Sequence, residues 1–375
     1  GKQGLVCMGL LLVLSSCHTG KQITASGLQR KDFQTEVNGQ HTDLFTLSNK
    51  QGMEVCITNY GARVVSILVP DRNGKREDVV CGFSTITEYM EQRQNFGSTV
   101  GRYIGRILNA RFTLDGVEYK LVPNNGKSGH ISHGGNPGFA DRIWKVEQAD
   151  THRVRLSYLS PDGENGFPGN LKVTLVYSLG EDDNALDLTY EATTDAPTVL
   201  NLSHHSFFNI SGNFTKSVED QQLWVDADRF TPYDDKKCVT GEYLPVAGTP
   251  LDFRMPHAIG ECIDADHPQL KVVNGYDHTW ELNTKGDDTR PAAWVYDPAS
   301  GRKMEIFTTE PGMQIYTGNG LKGKMTGKGG IAYPFRSAVC FETMHFQDSP
   351  NQPGFPSTVL RPGEVFRSHT VYKFE

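Results

Sequence analysis

The sequence has few of the features that build a disulfide or zinc framework. It contains seven cysteines in 375 residues, and two of these, Cys7 and Cys17, lie in an apolar segment at the N-terminus. The others are odd in number, widely scattered and form no C-x-x-C pair: Cys56, Cys81, Cys238, Cys262 and Cys340. This spacing excludes a disulfide framework and a structural zinc site, and it indicates that most of these cysteines are small core residues.

Clusters of basic residues are also missing. Lysine and arginine total 37 against 44 aspartates and glutamates, which gives a formal net charge of −7. Nucleic-acid binding requires a concentrated positive patch, so we predict no nucleic-acid partner.

Two short motifs resemble cofactor sites but are incomplete. Residues 318–324 (GNGLKGK) fit G-x-G-x-x-G and nearly fit a P-loop, but Met325 stands where a serine or threonine would bind magnesium, and no crossover helix follows. His130 and His133 could form half of a metal site, but no second cluster has ligand spacing. We therefore predict neither a metal nor another cofactor.

Long segments with a helical 3.6-residue period are absent as well. The chain has 39 glycines and 19 prolines between short segments in which apolar and polar residues alternate. The clearest hairpin runs from Arg111 to Val122 with a turn at Asp115-Gly116, and alternation at residues 171–177 and 186–190 predicts a second strand pair. This pattern predicts an all-β protein built as one large antiparallel β-sandwich over residues 32–375.

The N-terminus has the pattern of a targeting signal. Lys2 precedes the apolar run Leu5 to Leu14, which is too short to span a bilayer, and Leu-Ser-Ser-Cys follows at residues 14–17. This ending resembles a bacterial lipobox, which predicts a lipoprotein signal peptide over residues 1–17, lipidation of Cys17 and a flexible tether over residues 18–31. The protein would then be exported, periplasmic or anchored to the outer membrane, with the lipid at Cys17 as its only membrane contact. An ordinary secretory signal with a chance cysteine is the alternative.

The most informative internal segment is residues 201–212 (NLSHHSFFNISG). It follows the apolar, β-branched residues 198–200, which predict a buried strand. Successive side chains of an extended chain point to opposite faces, so only one of His204 and His205 can face a given cleft. A histidine titrates near neutrality and suits proton transfer, although a hydrogen-bonded structural pair is an alternative.

Three further segments have the same polar character beside apolar strands. Residues 124–135 place His133 before two glycines, which would let the backbone approach a ligand closely. Residues 274–282 carry Asp277 beside His278, and residues 340–354 carry Glu342 just after Cys340 and Phe341. An acid in such a setting is either paired with a cation or tuned for proton transfer.

These segments together resemble the aldose 1-epimerase (galactose mutarotase) family. The resemblance runs in order from about Phe45 to the C-terminus, and it includes SHGG at 132–135, SPDGENGFPGNL at 160–171, NLSHHSFFNISG at 201–212, GYDHTW at 275–280, GMQIYTGN at 312–319 and FETMHFQDSPN at 341–351. It implies a galactose mutarotase-like supersandwich that interconverts the α and β anomers of free aldohexoses such as galactose and glucose.

The resemblance also implies roles for individual residues. His205 would be the general acid that protonates the ring oxygen, and Glu342 the general base that takes the proton of the C1 hydroxyl. His133 would assist catalysis by polarising the substrate near the ring oxygen. The implied substrate-binding residues are Arg106, Asp277, Gln314 and, in a supporting position, Asn209. This chemistry requires no metal, nucleotide or covalent nucleophile.

Three departures and three rival functions bear on this interpretation. Gly105 stands where many relatives have asparagine, Ser132 replaces a usual apolar residue, and His204 stands where asparagine is common, so we expect the sugar preference rather than the reaction to differ.

A hexose-phosphate epimerase would need a cationic cluster that we do not find beside these motifs. A non-catalytic carbohydrate-binding lipoprotein would need no acid–base pair, and a glycosidase usually needs two placed carboxylates.

Overall fold

The computed structural model describes residues 21–375, and strands dominate its regular structure. The first strands are β1 (Glu36–Val37), β2 (Gln40–His41), β3 (Leu44–Ser48), β4 (Glu54–Thr58), β5 (Arg63–Pro70), β6 (Arg76–Asp78), β7 (Thr99–Val100), β8 (Arg106–Ile107), β9 (Arg111–Leu114), β10 (Val117–Lys120), β11 (Ile131–Ser132), β12 (Lys145–Ala149), β13 (Arg153–Ser160), β14 (Leu171–Leu179) and β15 (Ala185–Thr194). The rest are β16 (Thr198–Val199), β17 (Ser203–His204), β18 (Phe207–Phe208), β19 (Gln222–Val225), β20 (Arg229–Thr231), β21 (Leu244–Pro245), β22 (His257–Ala258), β23 (Asp277–Glu281), β24 (Ala293–Tyr296), β25 (Lys303–Thr308), β26 (Gly312–Tyr316), β27 (Val339–Met344), β28 (Val359–Leu360) and β29 (Phe366–Phe374).

Helices are short and lie between the strands. The two α-helices of the described region are α1 (Ile86–Gln92) and α2 (Pro268–Val273). Single 3-10 turns occupy Arg30–Phe33, Leu108–Ala110, Gly126–Ser128, Phe139–Asp141, Glu164–Gly166, Ile259–Glu261, Lys328–Gly330 and Ser349–Asn351. No helix within residues 21–375 is long and apolar enough to cross a membrane. The all-β prediction is confirmed.

Three larger sheets organise the molecule. The largest has nine strands in the order β12-β13-β14-β15-β29-β25-β24-β19-β22, the second has six in the order β18-β27-β26-β23-β20-β21, and the third has four in the order β3-β4-β5-β6. Every pairing between these named strands is antiparallel. The last strand, β29, pairs with both β15 and β25 and so ties the two halves of the large sheet together.

The core lies between these sheets. In β14 the alternating residues Leu171, Val173, Leu175, Tyr177 and Leu179 are buried, while the residues between them reach the surface. These inward side chains join one contiguous apolar cluster with residues of the four-stranded and six-stranded sheets. Because each sheet buries one face against the others, the predicted antiparallel sandwich is confirmed.

The two predicted hairpins form as expected. β9 pairs with β10, and the turn residues Asp115 and Gly116 have φ values of 52° and 77°. Positive φ at both positions gives the turn the twist that a two-residue hairpin requires. β14 pairs with β15 along its full length. The five cysteines of the described region are free, and four of them are buried.

The N-terminal segment corrects one prediction. Residues 21–31, expected to be part of a flexible tether, pack against the sandwich: Leu28 is buried, and the carboxylate of Glu54 accepts hydrogen bonds from the backbone N–H groups of Ala25 (2.8 Å) and Ser26 (3.1 Å). The buried Glu54 needs these donors, because an unpaired buried carboxylate is costly. The predicted signal peptide, the lipidation site Cys17 and residues 18–20 lie outside the described residues.

Candidate active site

One face of the six-stranded sheet lines a cavity of about 580 Å³. Strand pairing places Gln314 on β26 beside Glu342 on β27, and Asp277 begins the neighbouring strand β23. Alternate residues of these strands, among them Ile315 and Phe341, point the other way into the apolar core. The two-residue period of the strands therefore gathers the acidic and amide side chains on the cavity side.

The adjacent histidines face opposite ways. His205 lines the cavity. His204 is buried on the other side, where its ring nitrogens contact Ser206 Oγ and the hydroxyl of Tyr177. Burial lowers the pKa of His204 to about 3, so it is a neutral, hydrogen-bonded core residue. The expectation that only one of the pair can reach the cleft is confirmed.

His205 and Glu342 meet at the cavity wall. His205 Nε2 lies 3.2 Å from Glu342 Oε1, and the two side chains are only 7% and 4% exposed. Within the described region, no other hydrogen bond or ion pair reaches the Glu342 carboxylate, and His205 Nδ1 has no partner. The histidine and the carboxylate are therefore each other's main polar contact.

Burial controls the protonation of this pair. It raises the pKa of Glu342 well above 4.5, helped by the negative charge of Asp277, and it lowers the pKa of His205 well below 6.5, helped by His133. Both shifts disfavour charge, so burial favours one shared proton on the pair over a separated carboxylate and imidazolium. That proton can lie on the carboxyl group or on the imidazole.

His133 stands beside this pair. Its ring lies edge-on to that of His205 with 5.4 Å between centroids, and its Nδ1 accepts a hydrogen bond from the backbone N–H of Gly105 (3.1 Å). Burial lowers the pKa of His133 to about 4, and the positive charge of Arg106 adds to this shift. His133 is therefore neutral at pH 7 with its proton on Nε2, which makes it a hydrogen-bond donor.

The two glycines after His133 pack closely against other parts of the chain. A Cβ on Gly134 would lie 2.1 Å from the carbonyl oxygen of Gly101, and one on Gly135 would lie 2.8 Å from the side chain of Asn165. Both glycines thus lie in close contact with the protein's own chain. His133 itself has a φ of 51°, in the left-handed region.

The predicted binding residues Arg106, Asp277 and Gln314 lie in the same cavity. Arg106 Nη1 donates to the carbonyl oxygen of Lys237 (2.7 Å), and Gln314 Nε2 donates to Asp277 Oδ1 (2.8 Å). Burial raises the pKa of Asp277 to about 6, against the opposing effects of Gln314 and Arg106. Six of the seven sequence-predicted site residues are therefore brought together: His205, Glu342, His133, Arg106, Asp277 and Gln314.

Asn209 is the exception, and its predicted contact with substrate is corrected here. It is fully buried away from the cavity, and its amide donates to the backbone carbonyls of Lys216 (3.1 Å) and Ser337 (2.7 Å). Its Oδ1 accepts from Gln221 Nε2 (2.9 Å). These bonds satisfy the backbone of a loop, so Asn209 is structural. The side chain of Asn201 likewise bonds only to backbone groups. Its amide nitrogen donates to the carbonyl oxygen of His345, and its amide oxygen accepts from the backbone N–H of the same residue.

Several cavity residues were not found from the sequence. Tyr233 and Gln347 line the cavity and bond to each other, and two lysines, Lys237 and Lys271, lie on its wall. Gln347 lies in the segment 341–351 that resembles the family, so that motif could have indicated it as a cavity residue. Tyr233 follows a short strand with no distinguishing pattern.

One set of side chains near the catalytic pair could hold a metal ion. Ligand atoms of His205, Cys340 and Glu342 all lie within 4.8 Å of one another. Metals bind the thiolate form of cysteine, however, and burial raises the pKa of Cys340 well above 9. Without a metal, the Cys340 thiol is therefore protonated beside the histidine–carboxylate pair.

Comparisons with known proteins agree with this geometry. The sequence profile of the aldose 1-epimerase family matches residues 43–373. The galactose mutarotase of Bos taurus is 40% identical over 331 residues, covering 88% of this chain and 93% of its own. The aldose 1-epimerase of Escherichia coli (strain K12) is 36% identical over 339 residues, covering 90% and 96%.

A solved structure agrees as well. The crystal structure of an aldose epimerase homologue from C. elegans superposes with a TM-score of 0.80 at 30% sequence identity, covering 89% of this chain and 99% of that one. The fold and the sequence therefore point to the same group of proteins.

Proposed function

The chain belongs to the aldose 1-epimerase family, and from this membership and the cavity we propose that it interconverts the α and β anomers of free aldohexoses such as galactose and glucose. It is an isomerase. The observation that carries the proposed mechanism is the contact of 3.2 Å between His205 Nε2 and Glu342 Oε1 on the cavity wall.

Ring opening needs two proton transfers at oxygens bonded to the same carbon. Glu342 takes the proton of the C1 hydroxyl, the C1–O1 bond becomes a carbonyl, and the bond between C1 and the ring oxygen breaks. His205 donates its proton to the departing ring oxygen. Because the two oxygens are neighbours, an acid and a base in contact with each other can serve both.

Ring closure reverses these steps after a rotation about the C1–C2 bond. The ring hydroxyl attacks the other face of the aldehyde, His205 takes its proton, and Glu342 returns a proton to O1. The pair holds one proton before and after each turnover. These steps start with the shared proton on His205 and Glu342 ionised, and the direct contact of the two side chains lets the proton move from the carboxyl group to the imidazole.

The remaining cavity residues hold the sugar in this position. His133 is a neutral donor beside His205, so it can hydrogen-bond to the ring oxygen without competing for the transferred proton. Arg106 contributes a positive charge on the same side, and Asp277 with Gln314 offers acceptors and donors for sugar hydroxyls. Each acid or base catalyst supplies about 10²–10⁴-fold.

Polarimetry tests the proposal directly. Freshly dissolved α-D-galactose or α-D-glucose should reach the same final rotation faster with the protein, and Glu342→Gln should abolish the acceleration. A sugar binder would leave the rate unchanged, and a glycosidase would instead release new reducing ends from a glycoside. Either result would contradict the proposal.

One observation supports a second candidate, a hexose-phosphate epimerase. Arg106, Lys237 and Lys271 all line the cavity, and the two lysines were not found from the sequence motifs. Lys271 is already paired with Asp266, however, and Arg106 bonds to a backbone carbonyl. Comparing galactose and glucose with glucose 6-phosphate in the same assay separates the two: a preference for the phosphorylated sugar would favour the second candidate.

We further propose that a lipid at Cys17 anchors the exported protein, so that it acts on sugars outside the inner membrane. The support is the order of Lys2, an apolar run and Leu-Ser-Ser-Cys at residues 14–17. Cys17→Ser should move the protein from the membrane fraction to the soluble fraction. Continued membrane association of this variant would contradict the lipid anchor.

A further inference from the structure

Tyr233 lies in the cavity in a position that no motif predicts. It follows β20, is 8% exposed, and packs its ring against that of His278 with 5.0 Å between centroids. We propose that Tyr233 is a specificity-determining residue whose hydroxyl donates a hydrogen bond to one hydroxyl of the sugar. This inference deepens the proposed function and rests on it.

The orientation of two neighbouring amides determines what Tyr233 can do. The backbone N–H of Arg106 donates to Gln347 Oε1 (3.2 Å), which leaves the amide nitrogen of Gln347 facing the Tyr233 hydroxyl at 2.9 Å. Asp277 Oδ1 accepts from Gln314 Nε2, and the same nitrogen lies 3.3 Å from the Tyr233 hydroxyl. Amide nitrogens are donors only, so the phenolic oxygen accepts both bonds.

The hydroxyl proton of Tyr233 is therefore left without an acceptor. Within residues 21–375 the Tyr233 hydroxyl takes part in these two hydrogen bonds only, and it is the acceptor in both. Burial raises the pKa of Tyr233 far above neutrality, so the proton stays on the oxygen. A nearly buried donor needs a partner, and a sugar oxygen in the cavity supplies one.

Gly105 makes this arrangement possible. A Cβ at Gly105 would lie 2.6 Å from Gln347 Cγ, closer than two carbon atoms can approach, and its φ of 78° also favours glycine. The glutamine side chain therefore occupies the space beside Gly105 and reaches Tyr233 from there. Gln347 is a positioning residue for this donor, acting through Tyr233.

Tyr233 stands apart from the proton-transfer pair. Its polar contacts are to Gln347 and Gln314, and neither His205 nor Glu342 is among them. Binding that is equal in the ground state and the transition state changes KM rather than kcat. We therefore expect Tyr233 to select the sugar through KM.

The experiment compares Tyr233→Phe with wild type on galactose and on its 2-, 3-, 4- and 6-deoxy derivatives. We expect kcat/KM for galactose to fall about tenfold in the variant, mainly through KM, which corresponds to one hydrogen bond. One deoxy sugar should already be poor with wild type and should lose nothing further in Tyr233→Phe, because the partner hydroxyl is missing. Tyr296→Phe, on the far sheet, is the matched control and should match wild type on every sugar.

A second variant keeps the test independent of packing. Gln347→Glu is nearly isosteric, but its carboxylate would accept the Tyr233 proton and withdraw it from the sugar. It should show the same selective loss, with the same deoxy sugar spared. Equal losses on all five sugars, or no loss in either variant, would overturn the inference.

Equilibrium binding of the same sugars separates this inference from the proposed function. If wild type accelerates no mutarotation, the proposed function fails. The Kd values then still decide the role of Tyr233: a tenfold weaker Kd confined to sugars that carry one particular hydroxyl supports it, and unchanged Kd values overturn it.

Discussion

Two histidine–glutamate pairs, each with a buried carboxylate, lie near each other along the chain, and the pKa values of their histidines shift in opposite directions. The catalytic pair is His205 with Glu342, separated by 3.2 Å, and the structural pair is His345 with Glu310, separated by 2.8 Å. Glu342 and His345 lie three residues apart in the chain. The residue types are the same, so the difference between the pKa shifts of the two histidines must come from their surroundings.

The structural pair has further partners. Glu310 Oε2 also accepts a hydrogen bond from Ser368 Oγ (2.9 Å), and the side chain of His345 is 22% exposed. Burial lowers the pKa of His345, but the nearby Glu310 outweighs it, so the net pKa is raised. At the catalytic pair burial prevails, and the pKa of His205 is lowered. A carboxylate with further partners thus favours the charged form of its histidine, while at the catalytic pair burial favours the neutral form.

The largest expected difference is in activity. Glu342→Gln and His205→Asn should each lower kcat/KM by about 10²–10⁴-fold, because each removes one proton-transfer group. Circular dichroism and thermal unfolding should show that both variants remain folded. Near-wild-type turnover in both would contradict the catalytic assignment.

Breaking the structural pair should instead change stability. Glu310→Gln removes the charge that raises the pKa of His345 and weakens the hydrogen bonds to His345 and Ser368, and we expect the free energy of unfolding to fall by about 2 kcal/mol, with kcat retained. Urea unfolding measures this loss. Glu281→Gln, which breaks the more exposed pair with Arg229, is the matched control and should cost less than about 1 kcal/mol. Equal costs for the two variants would remove the distinction between buried and exposed pairs.

The catalytic pair also predicts a broad pH profile. A second proton on the pair must enter at His205, whose pKa is lowered, and loss of the last proton is opposed by the raised pKa of Glu342. The acid limb of kcat/KM should therefore lie well below pH 6.5 and the alkaline limb well above pH 4.5. The measurement is the enzymatic rate after subtraction of the buffer-catalysed rate. A midpoint on the acid limb at or above pH 6.5 would contradict a buried, neutral His205.

The smallest effect concerns a third histidine, nearer the surface. His369 lies 2.6 Å from Asp187 and 2.7 Å from Asp288, and these carboxylates raise its pKa to about 9 against the opposing effect of burial. Its stabilising contribution is fully present below its unfolded pKa of about 6.5 and is lost as the pH rises through 9. His369→Asn should cost about 1 kcal/mol at pH 6 and almost nothing at pH 10. A cost that does not change between these two pH values would rule out the charged state.

The alternation of the sequence predicted the strands that are buried on one face. β14, β15 and the β9–β10 hairpin follow directly from apolar residues at every second position, and the opposite directions of His204 and His205 follow from the same geometry. Residues 21–31 and Asn209 were misjudged because their partners are distant in sequence. The N-terminal segment hydrogen-bonds to Glu54, and Asn209 hydrogen-bonds to the backbone carbonyl of Ser337.

The sequence by itself determined the all-β class, the family and the residue types of the proton-transfer pair, because these depend on local periodicity and on motifs that stand in order along the chain. Only the tertiary structure decided that the pKa of His345 is raised and that of His205 is lowered, since burial and the further partners of the carboxylates differ between the two pairs. It also decided that Tyr233, Gln347 and Gly105 share one wall of the cavity. Those three residues come from segments more than a hundred residues apart, so no local sequence pattern predicts that they contact one another.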